Sequence, residues 1–157
     1  MRSTSLVFLA VLGACNNSGG DDTINITHDV CDPITVTSTS PTELQAAGID
    51  AALDLWRAHG VRSLARADEA PIEIRFEPAA GAFRGVYDDE SGVVFVNSNL
   101  ADPKILSIVI AHELGHAFGL PHVTEYPSVM TPGNITTTPT DADQRALEAL
   151  WGICPSP

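Results

Sequence analysis

His112-Glu113-Leu114-Gly115-His116-Ala117-Phe118-Gly119-Leu120-Pro121-His122 is the stretch on which the chain's reading turns. His112 and His116 stand four apart, so on a helix both imidazoles leave from one face. Two nitrogens so placed can grip one tetrahedral zinc at about 2.0–2.1 Å each. Glu113 is offset around the helix from His112; it need not bind the metal and can reach a water on it. Gly119 falls where such a helix must stop, because glycine takes a positive φ at little cost and lets the chain turn back. His122 then arrives from the turn as a third ligand. Three protein ligands leave one position open, which separates catalytic zinc from structural zinc. The bland alternative is core packing. It would have to bury two histidines and a glutamate on an apolar helix without a metal, which is costly.

Those eleven residues resemble the zinc signature of the metzincins, H-E-x-x-H-x-x-G-x-x-H. In that family a methionine-containing turn lies beneath the ligands, and Ser128-Val129-Met130 follows at a suitable distance. By the resemblance Met130 is that turn's methionine, structural rather than ligating. Within the metzincins the chain is most similar to the matrixin catalytic domain. Met130-Thr131-Pro132 looks like its M-x-P turn, and Asp141 to Gly152 like its C-terminal helix. The likeness covers most of Pro71 to Gly152, strongly from Ile108 onward. Val123 departs from it, since matrixins usually carry serine after the third histidine. No histidine lies between His59 and His112, so the second, structural zinc of matrixins is not expected; nor is a full-length propeptide, for which the residues ahead of the domain are too few.

The resemblance implies an α+β, zincin-like fold: a twisted, mainly parallel sheet with one antiparallel edge strand, an active-site helix and a C-terminal helix. It implies one catalytic zinc on His112, His116 and His122, with Glu113 as catalytic base in the hydrolysis of peptide bonds. Pro132 stands where some metzincins place a tyrosine ligand, so none is expected. Val93 to Val96 is a candidate edge for pairing with an extended substrate, and Leu120 to Thr138 would shape the pocket beyond the scissile bond. Two rival readings stay open. One is a lipid-anchored zinc-binding interaction module without general proteolytic activity; the other is a peptidase dedicated to a single target.

Working outward, Ile34-Thr35-Val36-Thr37 and Ile72-Glu73-Ile74-Arg75-Phe76 alternate as short strands. Ser40-Pro41-Thr42-Glu43 reads as a helix start, with Ser40 as cap, Pro41 first in the helix and Glu43 closing a capping box. That helix would run through Leu44, Ala47, Ala51 and Leu55 and stop at Gly60. Gly85-Val86-Tyr87 and Val93 to Val96 flank the acidic turn Asp88-Asp89-Glu90-Ser91-Gly92 as a hairpin. The turn could take Ca2+, but its spacing matches no EF-hand loop and a solvated tip is expected. Asp102-Pro103 opens the zinc-site helix. Thr140-Asp141-Ala142-Asp143 opens a third, with Leu147, Leu150 and Trp151 on one side and Gly152 as its stop.

The 157 residues have room for one domain and a short tail. A net charge of −12 with eight Lys and Arg argues against a nucleic-acid partner, which needs a basic stripe, and against electrostatic attachment to an anionic membrane. Arg2 followed by the apolar run Leu6 to Leu12 reads as a signal peptide over 1–14, too short to span a bilayer. Leu12-Gly13-Ala14-Cys15 resembles the lipobox of bacterial lipoproteins, with lipidation at Cys15. The alternative is a plain secretory signal cleaved near Ala14. Residues 15–30 would be a tether and 31–157 the catalytic domain, a monomer exported and lipid-anchored to a bacterial cell envelope, otherwise secreted. Cys31 and Cys154 lie near the two ends of that domain, in a compartment where disulfides persist, and are expected to pair. The rival is Cys31 as a thiolate on the zinc, but Val30-Cys31-Asp32-Pro33 lacks the flanking arginine and glycine of that matrixin motif. His28 and His59 need no role.

Overall fold

Strand β1 (Ile34–Thr37) alternates buried and half-buried residues, as a strand covered on one face must. The computed structural model describes residues 23–155. The expected signal peptide over 1–14, Cys15 and the first part of the expected tether lie outside the described residues. After β1 the order is α1 (Glu43–Arg57), β2 (Leu64–Arg66), β3 (Ile72–Glu77), β4 (Gly85–Asp88), β5 (Val93–Asn97), α2 (Pro103–Ala117) and α3 (Asp141–Trp151). The strands form one sheet in the order β2-β1-β3-β5-β4. Every neighbouring pair is parallel except β4–β5. This is the mainly parallel sheet with one antiparallel edge strand that the resemblance implies.

The sheet order corrects one expectation. Val93 to Val96 is not an edge: β5 is hydrogen-bonded on both sides, to β3 and to β4. Val94 and Val96 are fully buried and Val93 is 5% exposed, the near-continuous burial of a central strand. The edge strand beside α2 is β4, where Val86 is 41% exposed. The expected hairpin is there, with Gly85 opposite Val96 and Asp88 opposite Val93.

Helix α1 also differs from its sequence reading. Thr42, not Ser40, caps it: the Thr42 hydroxyl accepts from the Gln45 amide while the Gln45 side chain accepts from Thr42 N–H. Pro41 and Ser40 lie ahead of the helix, and Ser40 has φ of 48°. The buried stripe is Ile49, Ala52, Leu53 and Trp56, while Leu44, Ala47 and Ala51 face outward. The deciding contact is with α2. A side chain at Gly48 would come within 2.8 Å of Leu106, so the glycine lets the two helices close up on this face. Trp56 completes the contact, its indole N–H donating to Ala111 O at 2.8 Å and its ring meeting Phe118 edge-on at 5.4 Å.

Helix α2 starts as read, with the Asp102 carboxylate accepting from the Lys104 and Ile105 amides and Pro103 at the first turn. It lies over β4 and β5 and buries eleven of its residues. Helix α3 is capped by Thr140 and ends at Gly152. Leu147 is buried, but Leu150 is 53% exposed rather than part of an apolar face. The three-residue strand β2 was not foreseen, being too short to carry an alternation.

Residues 23–30, the last part of the expected tether, lie against the domain. Ile26 N–H donates to Asp89 O, His28 N–H to Ala117 O, and the Tyr87 hydroxyl to Ile26 O at 2.9 Å. Val30 is buried. Cys31 and Cys154 are joined by a disulfide with Cα atoms 4.9 Å apart, so Cys31 is not a metal thiolate.

Candidate metal centre

The three histidines converge. His112 and His116 project from the last two turns of α2, and His122 from the segment after it. The Nε2 atom of His122 lies 3.1 Å from that of His112 and 3.2 Å from that of His116. The turn that brings His122 back is built at Gly119, whose φ is 92°. Gly119 N–H donates to His116 O and Leu120 N–H to Gly115 O, the paired bonds of a Schellman end that satisfy the last carbonyls of the helix.

Backbone carbonyls orient two of the rings. His112 Nδ1 meets Val129 O at 2.6 Å, and His116 Nδ1 meets Leu120 O at 2.8 Å. A carbonyl only accepts, so each Nδ1 carries the proton and each Nε2 turns a lone pair toward the common centre. Three ring nitrogens facing one point within 3.2 Å of the His122 atom cannot all be satisfied by a proton on one of them. A cation at the centre satisfies all three. For ligands at about 2.05 Å in tetrahedral array, the nitrogens would stand roughly 3.3 Å apart, close to the spacing found. Among the described residues this is the one cluster of histidine, cysteine or carboxylate groups able to hold a metal ion. Burial pushes His112 down to about 4 and His116 down to about 3, in both cases reinforced by the neighbouring rings. The imidazoles are therefore neutral at pH 7, the form that ligates.

Glu113 is 6% exposed and faces β4. A Cβ on Gly85 would stand 3.0 Å from Glu113 Cγ and Oε1, so the missing side chain makes room for the carboxylate. Burial pushes the Glu113 carboxyl up to about 8, with the Tyr87 backbone N–H drawing it partly back. A positive charge close by would restore the carboxylate at neutral pH.

Met130 lies beneath the histidines at 1% exposure. A side chain at Gly115 would meet its Sδ at 2.3 Å, so the thioether is seated against bare backbone of α2. The turn is tied to the ligand segment by Val123 N–H donating to Met130 O. Sequence reasoning missed what holds the turn from below. Asp143, 1% exposed, accepts from the Ser128 hydroxyl, from Val129 N–H at 3.2 Å and from Thr140 N–H at 2.8 Å. The Ser128 oxygen in turn accepts from Met130 N–H at 2.8 Å. Thr140-x-x-Asp143 was legible as a helix cap, but nothing local in the sequence shows Asp143 reaching Ser128 and Val129. Asn134 adds a second brace, its amide donating to Val129 O and Thr137 O.

Residues 76–152 match the sequence profile of the Matrixin family. Matrix metalloproteinase-21 of Mus musculus is 40% identical over 50 residues, which is 29% of this chain and 9% of that protein. The chain thus spans only a small part of that relative's length. Two solved structures of myroilysin superpose with TM-scores of 0.58 and 0.59 at 12% identity. They cover 82% and 85% of this chain and 97% and 93% of theirs, a likeness of fold.

Proposed function

We propose that this chain, which carries a matrixin-like metzincin catalytic domain, is a zinc-dependent endopeptidase. The observation that carries the reading is the convergence of three ring nitrogens beside a buried glutamate. His112, His116 and His122 would hold the zinc, and a set of three imidazole nitrogens suits that borderline-soft ion. When bound, zinc supplies Lewis acidity that lowers the pKa of water toward ~7 and polarises a carbonyl. Glu113 is the base. Its carboxylate takes the proton of the attacking water and returns it to the departing amine. Packing against Gly85 and the Tyr87 N–H fixes that carboxylate, and the excluded water around it keeps its proton affinity high. The open edge of β4, whose first residue Gly85 packs on Glu113, would pair with an extended substrate.

Met130 and the Asp143 brace act through position: they hold Val129 O against His112 and the turn against α2. Export on the 1–14 signal and lipidation at Cys15 remain part of the proposal, giving a monomer anchored to a bacterial cell envelope.

The test uses the exported chain with Cys15→Ser, assayed on a quenched peptide library beside its Glu113→Ala counterpart, with zinc counted in both. Cleavage lost in the second, with one zinc in each, is the expected result. One zinc without cleavage would favour the interaction module, and no zinc would sink the assignment of the three histidines.

A further inference from the structure

The basic side chains of this acidic molecule are mostly accounted for. Arg57, Arg66 and Arg75 pair with Asp54, Asp50 and Glu73, Arg62 is also engaged, and Lys104 and Arg145 are exposed on helix surfaces. Arg84 is different. It is half-buried, and among the described residues its guanidinium has no hydrogen-bond or ionic partner. Burying part of an arginine without a partner is unfavourable, so such a group beside the segment that follows the histidines points to a ligand that supplies the missing charge.

Its position is set from two sides. At its base the Arg84 carbonyl accepts from Asn97 N–H at 2.8 Å, and the Asn97 side chain, 2% exposed, donates to Phe83 O at 2.9 Å. The residue that follows is Gly85, which opens β4 and packs on Glu113. At its tip Nη1 lies 3.9 Å from where a Cβ of Gly133 would stand. Gly133 belongs to the turn after Met130, pinned by Asn134 to Val129 O. Arg84 therefore reaches from the start of the edge strand to the wall of the segment after the metal ligands. Hydrogen bonds hold both ends, and at Gly133 the wall offers no side chain to the guanidinium.

We propose that Arg84 is a specificity-determining residue of this cleft, binding a carboxylate in the part of the substrate that follows the cleaved bond. The inference rests on the peptidase reading and sharpens it. A planar guanidinium accepts a carboxylate through two parallel hydrogen bonds. On a chain of net charge −12, a fixed cation at one point selects where an acidic group is tolerated. The carboxylate could belong to an aspartate or glutamate side chain or to a peptide C-terminus.

The experiment compares peptides sharing one scissile core. One set has Glu or Gln at each of three positions after the cut, all amidated; another ends there as a free acid or an amide. The quantity read is the ratio of kcat/KM for the carboxylate peptide over its neutral twin. The native chain should show a ratio of about tenfold, the size of one charge-assisted hydrogen bond. Arg84→Ala should bring the ratio to about one, Arg84→Lys should keep part of it as a charge without the fork, and Arg84→Glu should invert it. The arm that responds, side chain or terminus, identifies the source. The same ratio is read from anisotropy of dye-labelled peptides, independently of turnover. Binding that depends on Arg84 without cleavage would overturn the peptidase reading and uphold the carboxylate site. An equal ratio in native and Arg84→Ala chains, by either readout, would overturn the site.

Discussion

Glu113 and Gly115 sit two residues apart on α2 and are constrained from opposite sides, one by chemistry and one by space. Replacing Glu113 with Gln keeps the shape of the side chain and removes the group proposed as base. Peptide cleavage should fall by about 10²–10⁴-fold with zinc content unchanged, measured by steady-state kinetics and metal analysis. Gly115→Ala should leave the ligands in place yet destabilise the fold by about 1–3 kcal/mol, because its methyl would meet Met130 Sδ at 2.3 Å. Urea denaturation would show it, and pairing the change with Met130→Ala should recover part of the loss. The convergence of the three histidines beside Glu113 was the most legible part of the sequence, since His112, Glu113, His116, Gly119 and His122 are locked together by spacing along one helix and one turn. Asp143 was not legible in that role. Its bonds to Ser128 and Val129 cross from α3 to the turn, and no local pattern encodes a contact of that kind.

Between elements, the brace from α3 to the Met130 turn should matter to the metal as well as to the fold. Asp143→Ala strands the Val129 and Thr140 amides and the Ser128 hydroxyl in a buried site, a loss of about 2–4 kcal/mol. Because Val129 O also orients His112, the variant should surrender zinc to a chelator sooner than the native chain, by about 10–100-fold in affinity. The segment ahead of β1 carries a pH signature. Burial holds His28 below its ordinary value of 6.5, and its Nε2 is buried without a hydrogen-bond partner among the described residues. The unfolded chain therefore binds the proton first. Stability from this residue is complete above pH 6.5 and is lost as the pH falls below it. Between pH 8 and pH 5 the melting temperature of His28→Gln should decline less than that of the native chain. Element positions were mostly readable from caps and alternation: β1, β3, the hairpin, α2 and α3 stand where the sequence puts them. The face of α1 was not, because Leu44, Ala47, Ala51 and Leu55 compete with Ile49, Ala52, Leu53 and Trp56 at the same period. Only contact with Leu106 and Ala111 decides between them. The edge strand was misassigned for a related reason, since sheet order is a property of the assembled strands.

For the whole molecule, the Cys31–Cys154 bond encloses nearly all of the domain, with a sequence separation of 123. Reduction should lower stability by up to about 5 kcal/mol in the chain-entropy view, read as a drop in melting temperature shared by the Cys31→Ser, Cys154→Ser pair. The bond has a mechanical meaning too. Sheet, helices and metal centre all belong to a covalent ring closed at one corner, where the chain enters and leaves 4.9 Å apart. Tension applied between the two ends of the chain passes across two sulfur atoms, and the ring behind them bears none of it. A pull could peel residues 23–30 from Asp89 and Ala117, yet the three-histidine site would stay slack until the bond was cut.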